Sequence, residues 1–543
     1  EEISARMERR LEHRRIVMFN VSHASFIVPS LPNGISLRRR VFSGSRRETN
    51  TIVCEHSEQS KEQAVKTKKA RSAGTIVNGK ATSPIKPQNA REAAFFAVRA
   101  WLRDDGFVHD TLERWLVSNR PSSTDFGLAK EISMGSVRQY KALDYMVSKL
   151  ANREKLKITV RGKAVLVTAL YQAVFMTRIP RYALVHQSVT IGSTHVGKAF
   201  GGFVNAVMRR LPEDSSSLLS LLPQGDEPSD LALRFSYPEY LVKRLVKAYG
   251  LEKTKEILQT CNEAPPTIVR KVRPTSSDMP EGLRPMPGLP PSIAGSLAIV
   301  EDSEVLQELL QTSDYYTQNA TPATLIANAC KDLRNSPSSR PRFIDLCASP
   351  GGKTIGVHAQ FPEAELWVND LSPSKIKRMQ SNFDRLNIQT KFIIGDGMRF
   401  KGSMALAESG PGDGSEGGEI HQLDESERNL VSYFDVAIVD APCSNTGVMH
   451  KRPESRWRIV NRKSIRALQK KQLGLIESAA LLVRPGGLIW YMTCSILPEE
   501  NEDLVTLACN KLGLTPTGYQ ESILPNGEGW DGGFACALRK SVS

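Results

Sequence analysis

Two cysteines and one glycine turn carry most of the chemistry open to this chain. Cys443 stands in Asp440-Ala441-Pro442-Cys443-Ser444 and Cys494 in Thr493-Cys494-Ser495, each just beyond a short apolar run of the kind that forms a buried strand. A third run ends in Asp345-Leu346-Cys347-Ala348-Ser349-Pro350-Gly351-Gly352-Lys353-Thr354, where the paired glycines let backbone approach a ligand closely. Together the three segments point to a thiol nucleophile beside a nucleotide-like cofactor.

Such groups need a scaffold that gathers strand ends. Beyond residue 341, apolar runs at 343–346, 366–368, 392–394, 434–439 and 488–492 alternate with amphipathic patterns, as in a doubly wound parallel sheet. Ligands bind such sheets beyond the carboxyl ends of the strands. Asp370 closes the second run, where an acidic side chain accepts hydrogen bonds from ribose hydroxyls, and Asp396 follows the third, placed to meet an adenine amino group. Ser372-Pro373 supplies N-cap and first-turn signals for a helix ending near Leu386.

The glycine turn fits no phosphate cradle. Counting back from Gly352-Lys353-Thr354 puts Cys347 where a P-loop requires its first glycine, and no G-x-G-x-x-G is present. The near-match at 74–81 lies in a strandless stretch and ends in Ala81. Carboxylates without a phosphate cradle suit S-adenosylmethionine, whose sulfonium is positive. A cysteine then has an evident use, because carbon 5 of cytosine accepts a methyl group only after a thiolate adds to carbon 6. The carbon 5 proton must afterwards leave and the thiol be expelled, which gives a second group work to do.

At 543 residues the chain exceeds a single core, and a net charge of +14 favours a polyanionic partner, nucleic acid first. Its eight cysteines form no C-x-x-C pair and keep no zinc-type histidine spacing, so they read as reduced, and no metal is expected. No apolar run is long enough to span a membrane. Residues 1–86 are Ser-, Arg- and Lys-rich without sustained periodicity, and 18–47 hold no acidic residue. That leader reads as a transit peptide with a chloroplast address, the alternatives being a mitochondrion or a basic tail in the cytoplasm. Residues 87–215 show helical periodicity and read as an all-α domain, with 213–230 as linker; 229–320 read as a connecting subdomain, and 321–541 as the α/β domain with a polar insertion at 402–430.

The segments at 345–354, 440–447 (DAPCSNTG) and 493–502 (TCSILPEENE) resemble the hallmark motifs of the Sun/Fmu, or RsmB-like, RNA cytosine-5 methyltransferases. The helical region, closing with 203–210 (FVNAVMRR), resembles the NusB-like RNA-binding domain of the members acting on small-subunit rRNA. Residues 237–241, 262–266 and Gln318 match the segment joining the two. The resemblance implies a Rossmann-like methyltransferase domain behind an all-α NusB-like domain, working as a monomer with small-subunit rRNA as partner. It makes Cys494 the nucleophile and Cys443 the group assisting product release. It places S-adenosylmethionine along Cys347, Ala348, Ser349, Pro350, Gly351, Gly352, Lys353, Asp370, Asp396 and Asp440, with Asp440 also holding the cytosine edge and Lys353 facing the base. The segment 451–458 (KRPESRWR) matches a basic family stretch suited to phosphate contact, with Trp457 either a stacking platform or core.

The chain departs from the pattern at Ser349, where Ala is common, at Asn445, where Gly or Ala is frequent, and in its closing strand at 533–537. Two other functions share these features: an RNA-binding ribosome-assembly factor on a methyltransferase scaffold, and a tRNA cytosine methyltransferase.

Overall fold

The computed structural model describes residues 87–542 except 105, 154–156, 177, 273–278, 334–339, 400–429 and 460. The leader, the 74–81 segment and nearly all of the 402–430 insertion lie outside the described residues.

Helices Ala90–Leu102, Val108–Asn119, Ser123–Arg138, Tyr140–Leu150, Val160–Phe175, Arg181–His195 and Lys198–Arg209 build the first region. Val160–Phe175 is apolar around most of its circumference and lies buried among the others, as such a helix must. Asn89 and Thr159 cap the Ala90–Leu102 and Val160–Phe175 helices through their side chains. The stretch read as a linker is more ordered than its polarity implies. Leu218 in the turn Ser215–Leu221 and Leu222 pack into the helical core, and Pro228 opens the helix Pro228–Arg234.

Helices Glu239–Tyr249 and Leu251–Thr260 lead into an antiparallel sheet of β1 (Thr267–Lys271), β2 (Leu283–Pro285), β3 (Leu297–Val300) and β4 (Tyr315–Thr317), in the order β2-β3-β1-β4. The Pro-rich stretch had hidden this sheet. Its strands are three to five residues long, and Pro285 is tolerated because β2 is an edge.

The second sheet holds β5 (Arg342–Asp345), β6 (Glu365–Asp370), β7 (Lys391–Ile394), β8 (Phe434–Asp440), β9 (Val483–Thr493), β10 (Thr515–Ile523) and β11 (Gly533–Arg539), ordered β10-β11-β9-β8-β5-β6-β7. β5 through β9 pair in parallel, as the alternating pattern required, whereas β11 runs antiparallel between β9 and β10. Both faces of the parallel part are buried. Val436, Ile438, Trp490 and Met492 pack on one side with Ile376, Met379 and Phe383; Ala437, Val439, Ile489 and Tyr491 pack on the other with Leu475, Ile476 and Leu504. Strand order reverses between β5 and β8, so the glycine turn after β5 lies at the switch point where ligands of such sheets bind. No helix among the described residues is long and apolar enough to cross a membrane.

Candidate functional site

The parallel register brings Asp345, Asp370, Asp440 and Thr493 to the carboxyl ends of neighbouring strands. Asp345 and Ile438 are partners across β5 and β8, and Asp440 and Met492 across β8 and β9, so the segments that follow share one edge. Cys443 and Cys494 leave that edge from adjacent strands, and their Sγ atoms stand 3.1 Å apart. Both side chains are partly exposed. The Cys494 thiol donates to Asn445 Oδ1 at 2.9 Å, so the three side chains form a short chain of hydrogen-bonding groups.

Asn445 explains its own departure from the glycine expectation. Its φ of 58° is left-handed backbone, which Gly adopts freely and Asn adopts better than other residues. The side chain that Asn adds is the one that meets Cys494. Gly447 is fixed for a steric reason, since a Cβ there would lie 2.3 Å from the Gly532 carbonyl oxygen.

A buried polar network, which the sequence reading missed, locks the two cysteine loops together. Glu500 is fully buried; its Oε1 accepts from the Ser444 amide and from Gln472 Nε2, both at 2.9 Å, and its Oε2 accepts from the Ser495 hydroxyl at 2.6 Å. Ser444, Thr446 and Ser495 hydroxyls lie 3.0 to 3.1 Å from one another, and Thr446 accepts from the Ile496 amide. The Gly447 amide donates to the Cys494 carbonyl at 2.8 Å. Hydrogen bonding with Cys494, then burial, then the negative charges of Cys494 and Glu500 raise the Cys443 thiol well above the ordinary thiol range. Cys443 is thereby held protonated.

Lys353 Nζ pairs with Asp440 Oδ2 at 2.5 Å beside the cysteines. Burial works against the lysine's charge, but the pairing with Asp440 outweighs it and raises the pKa. Below them Asp345 is buried and accepts from Thr354 Oγ1 at 2.9 Å and from the Cys347 amide at 3.3 Å. Burial, then the neighbouring Asp440 charge, push its carboxyl up to about 7. Burial also raises the Cys347 thiol, followed by the charges of Asp345, Asp440 and Asp370. That side chain is a neutral packing group.

The glycine turn is held from below. Gly351 has φ of 101° and opens the helix Gly352–Gln360, and a Cβ on it would press on Phe383 and Met379 at 3.0 to 3.1 Å. Gln318 Nε2 donates to the Gly352 carbonyl at 2.8 Å, while Gln318 Oε1 accepts from Arg270 Nη1 and Tyr316 OH, both at 2.7 Å. Thus β1 and β4 brace the turn. Ala348 is buried with its amide on the Asn369 carbonyl, and Ser349 and Pro350 complete the bend to Gly351. Asp370 Oδ1 accepts from the Ser372 amide at 2.9 Å, so it, and not the Ser372 side chain, orders the start of the helix Pro373–Arg385. Asp396, two residues beyond β7, accepts from the Met398 amide at 3.1 Å.

The segment 451–458 is a correction. Arg456 is fully buried over the Tyr237 ring, with Nη1 on Asn262 Oδ1 at 2.7 Å and Nη2 on the Cys261 carbonyl at 2.9 Å. Trp457 donates to the Val137 carbonyl at 2.9 Å and packs with Trp101 and Tyr140. Both are rivets between the helical region and the α/β domain, which leaves Arg452 and Arg458 as the exposed cations of this stretch.

Residues 333–522 match the family described as 16S rRNA methyltransferase RsmB/F, and residues 88–213 match the NusB family. These two matches, side by side in one chain, support an RsmB/F-type methyltransferase with a NusB-like domain. It is 28% identical over 433 residues to the ribosomal RNA small subunit methyltransferase B of Pasteurella multocida, covering 77% of this chain and 89% of that protein. The Salmonella heidelberg protein of the same description is 26% identical over 467 residues, covering 84% and 99%. A solved crystal structure, that of PH0851, superposes with a TM-score of 0.61 over 84% of this chain and all of its own, at 18% identity, and so shares the fold. The NusB-like region and the segment after β8 are joined through Arg138 as well, whose guanidinium donates to the His450 carbonyl at 3.0 Å.

Proposed function

We propose that this rRNA methyltransferase methylates carbon 5 of a cytosine in small-subunit rRNA, with Cys494 as nucleophile and Cys443 as the group that helps free the product. The observation that carries the reading is the 3.1 Å approach of the two sulfurs from adjacent strand ends beside the Lys353–Asp440 pair.

The donor set fits S-adenosylmethionine. Asp370 and Asp396 offer carboxylates at successive strand ends, and Lys353, the cation of the glycine turn, is already taken by Asp440. Cys347 through Lys353, Asp370, Asp396 and Asp440 would hold the cofactor, which supplies an electrophilic methyl group on a positive sulfonium.

The two sulfurs take different parts. Cys443, held as the thiol, does not compete as a nucleophile, whereas Cys494 gives up its thiol proton to solvent, adds through sulfur to carbon 6 and displaces the ring electron pair towards carbon 5. The Lys353–Asp440 pair faces the ring atoms that gain electron density. Once carbon 5 carries the methyl group, loss of its proton to a base returns the electron pair that breaks the carbon 6–sulfur bond. Cys443, 3.1 Å from the departing sulfur, is placed to hydrogen-bond that sulfur as it takes up the electron pair.

Bisulfite sequencing of small-subunit rRNA, with and without incubation with the protein and S-adenosylmethionine, tests the reading. One cytosine should become protected. Methyl transfer confined to tRNA, or to a position other than carbon 5, would overturn it. The leader supports a plastid address, and a fluorescent fusion of residues 18–86 to another protein reports it directly; a cytosolic signal would contradict it.

A further inference from the structure

Cys494 carries one thiol hydrogen, and its direction is fixed. The sulfur lies 2.9 Å from Asn445 Oδ1, which among the described residues is the one oxygen hydrogen-bonded to it. The carboxamide is oriented for this contact. Asn445 Nδ2 faces the Cys443 carbonyl at 3.4 Å, and a carbonyl can only accept, so the amino group belongs on that side and the oxygen on the side of Cys494. The loop presenting Asn445 is held as well: its backbone carbonyl accepts from the Val448 amide and the Ser455 hydroxyl, both at 3.2 Å. From the same loop the Gly447 amide donates to the Cys494 carbonyl at 2.8 Å.

With the Cys494 hydrogen committed to Asn445, the 3.1 Å contact between the sulfurs acquires a direction. Cys443 donates and Cys494 accepts. The charged groups around the pair leave this arrangement alone. Lys353, on the helix after the glycine turn, is within electrostatic reach of Cys494 but is paired with Asp440. Glu500, from the loop after β9, has its oxygens on Ser444, Gln472 and Ser495.

We propose that Asn445 is a positioning residue that holds Cys494 as a resting thiol, with Cys443 as its donor, and releases the sulfur when the proton leaves. A hydrogen bond accepted from a thiol favours the thiol over the thiolate. Once the proton passes to solvent, the negative sulfur faces the lone pairs of Oδ1 and that contact turns repulsive. The hydrogen bond from Cys443, now made to a charged acceptor, strengthens at the same moment. Loss of the proton therefore frees the sulfur from the carboxamide and leaves Cys443 attached to it. The inference rests on the reading of Cys494 as the nucleophile and adds the side chain that governs its reactivity.

The test is alkylation of the full chain by iodoacetamide, without RNA or cofactor, from about pH 6 to 10, read separately at residues 443 and 494 by peptide mass spectrometry. Asn445→Gly suits the left-handed backbone, with its φ of 58°, and removes the acceptor. It should move the midpoint of the Cys494 profile down by about half a pH unit and speed alkylation near neutral pH about threefold. Asn445→Asp keeps an acceptor and adds a negative charge beside the sulfur, so its midpoint should move up by about as much. A loop merely loosened would expose both sulfurs and shift neither midpoint. That result in Asn445→Gly would overturn the proposal, as would midpoints moving the same way in both variants. No RNA or methyl transfer enters the measurement, so this inference and the assignment of the nucleophile can fail separately.

Discussion

Glu500 Oε1 accepts the Ser444 amide at 2.9 Å, and this one bond ties the loop after β9 to the loop after β8. It holds the Cys443 loop in register with the loop carrying Cys494. Because the carboxylate is fully buried and accepts two further hydrogen bonds, removing it leaves several donors without partners. Glu500→Ala should lower the unfolding free energy by about 3 kcal/mol, and Glu500→Gln, which keeps one acceptor, by less. Thermal and urea unfolding measure this. A Glu500→Ala protein as stable as the wild type would remove Glu500 from its bracing role.

Asp345 gives the fold a pH dependence with a definite sign. Its carboxyl is raised from the ordinary 3.8 to about 7, so between those values the unfolded chain releases a proton that the folded chain keeps. Its contribution is therefore fully present below pH 3.8 and lost as pH rises through about 7, a span of about 4 kcal/mol. Asp345→Asn should flatten that part of the stability curve, measured by urea unfolding from pH 4.5 to 8. A variant curve parallel to the wild type's would show that Asp345 titrates normally.

Arg456 separates a structural cation from an RNA-binding one. With its guanidinium buried among the Asn262, Cys261 and Ser236 oxygens, Arg456→Ala should cost about 3 kcal/mol of stability. Arg452→Ala, on an exposed side chain, should change stability by less than about 0.5 kcal/mol. Calorimetry on the pair decides it; equal melting temperatures would return Arg456 to the surface.

How much of this was legible in the chain depends on what each residue's chemistry announces. The runs at 434–439 and 488–492 betrayed β8 and β9 because strands buried on both faces must be apolar throughout. β10 had no such mark: it is an edge strand whose Thr515, Pro516, Gly518, Gln520 and Ser522 face water and whose other positions are only half-buried, and β1 to β4 are too short to show alternation. The cysteines stood out because thiols at strand ends are rare and reactive. Glu500 did not, since a glutamate after a proline reads as surface charge, and its burial depends on donors from three separate segments. Arg456 was misread for the same reason. An arginine beside a tryptophan looks the same in sequence whether it meets phosphate or carbonyls, and only the packing of the helical region against the sheet decides between them.

The assignment of two different duties to two sulfurs 3.1 Å apart is tested most directly by trapping. Wild-type, Cys443→Ala and Cys494→Ala proteins are incubated with small-subunit rRNA and S-adenosylmethionine, then resolved under denaturing conditions for covalent protein–RNA adducts. Cys443→Ala should accumulate the adduct, because the bond forms and is not released, and Cys494→Ala should form none. An adduct in Cys494→Ala, or full turnover without accumulation in Cys443→Ala, would contradict the account.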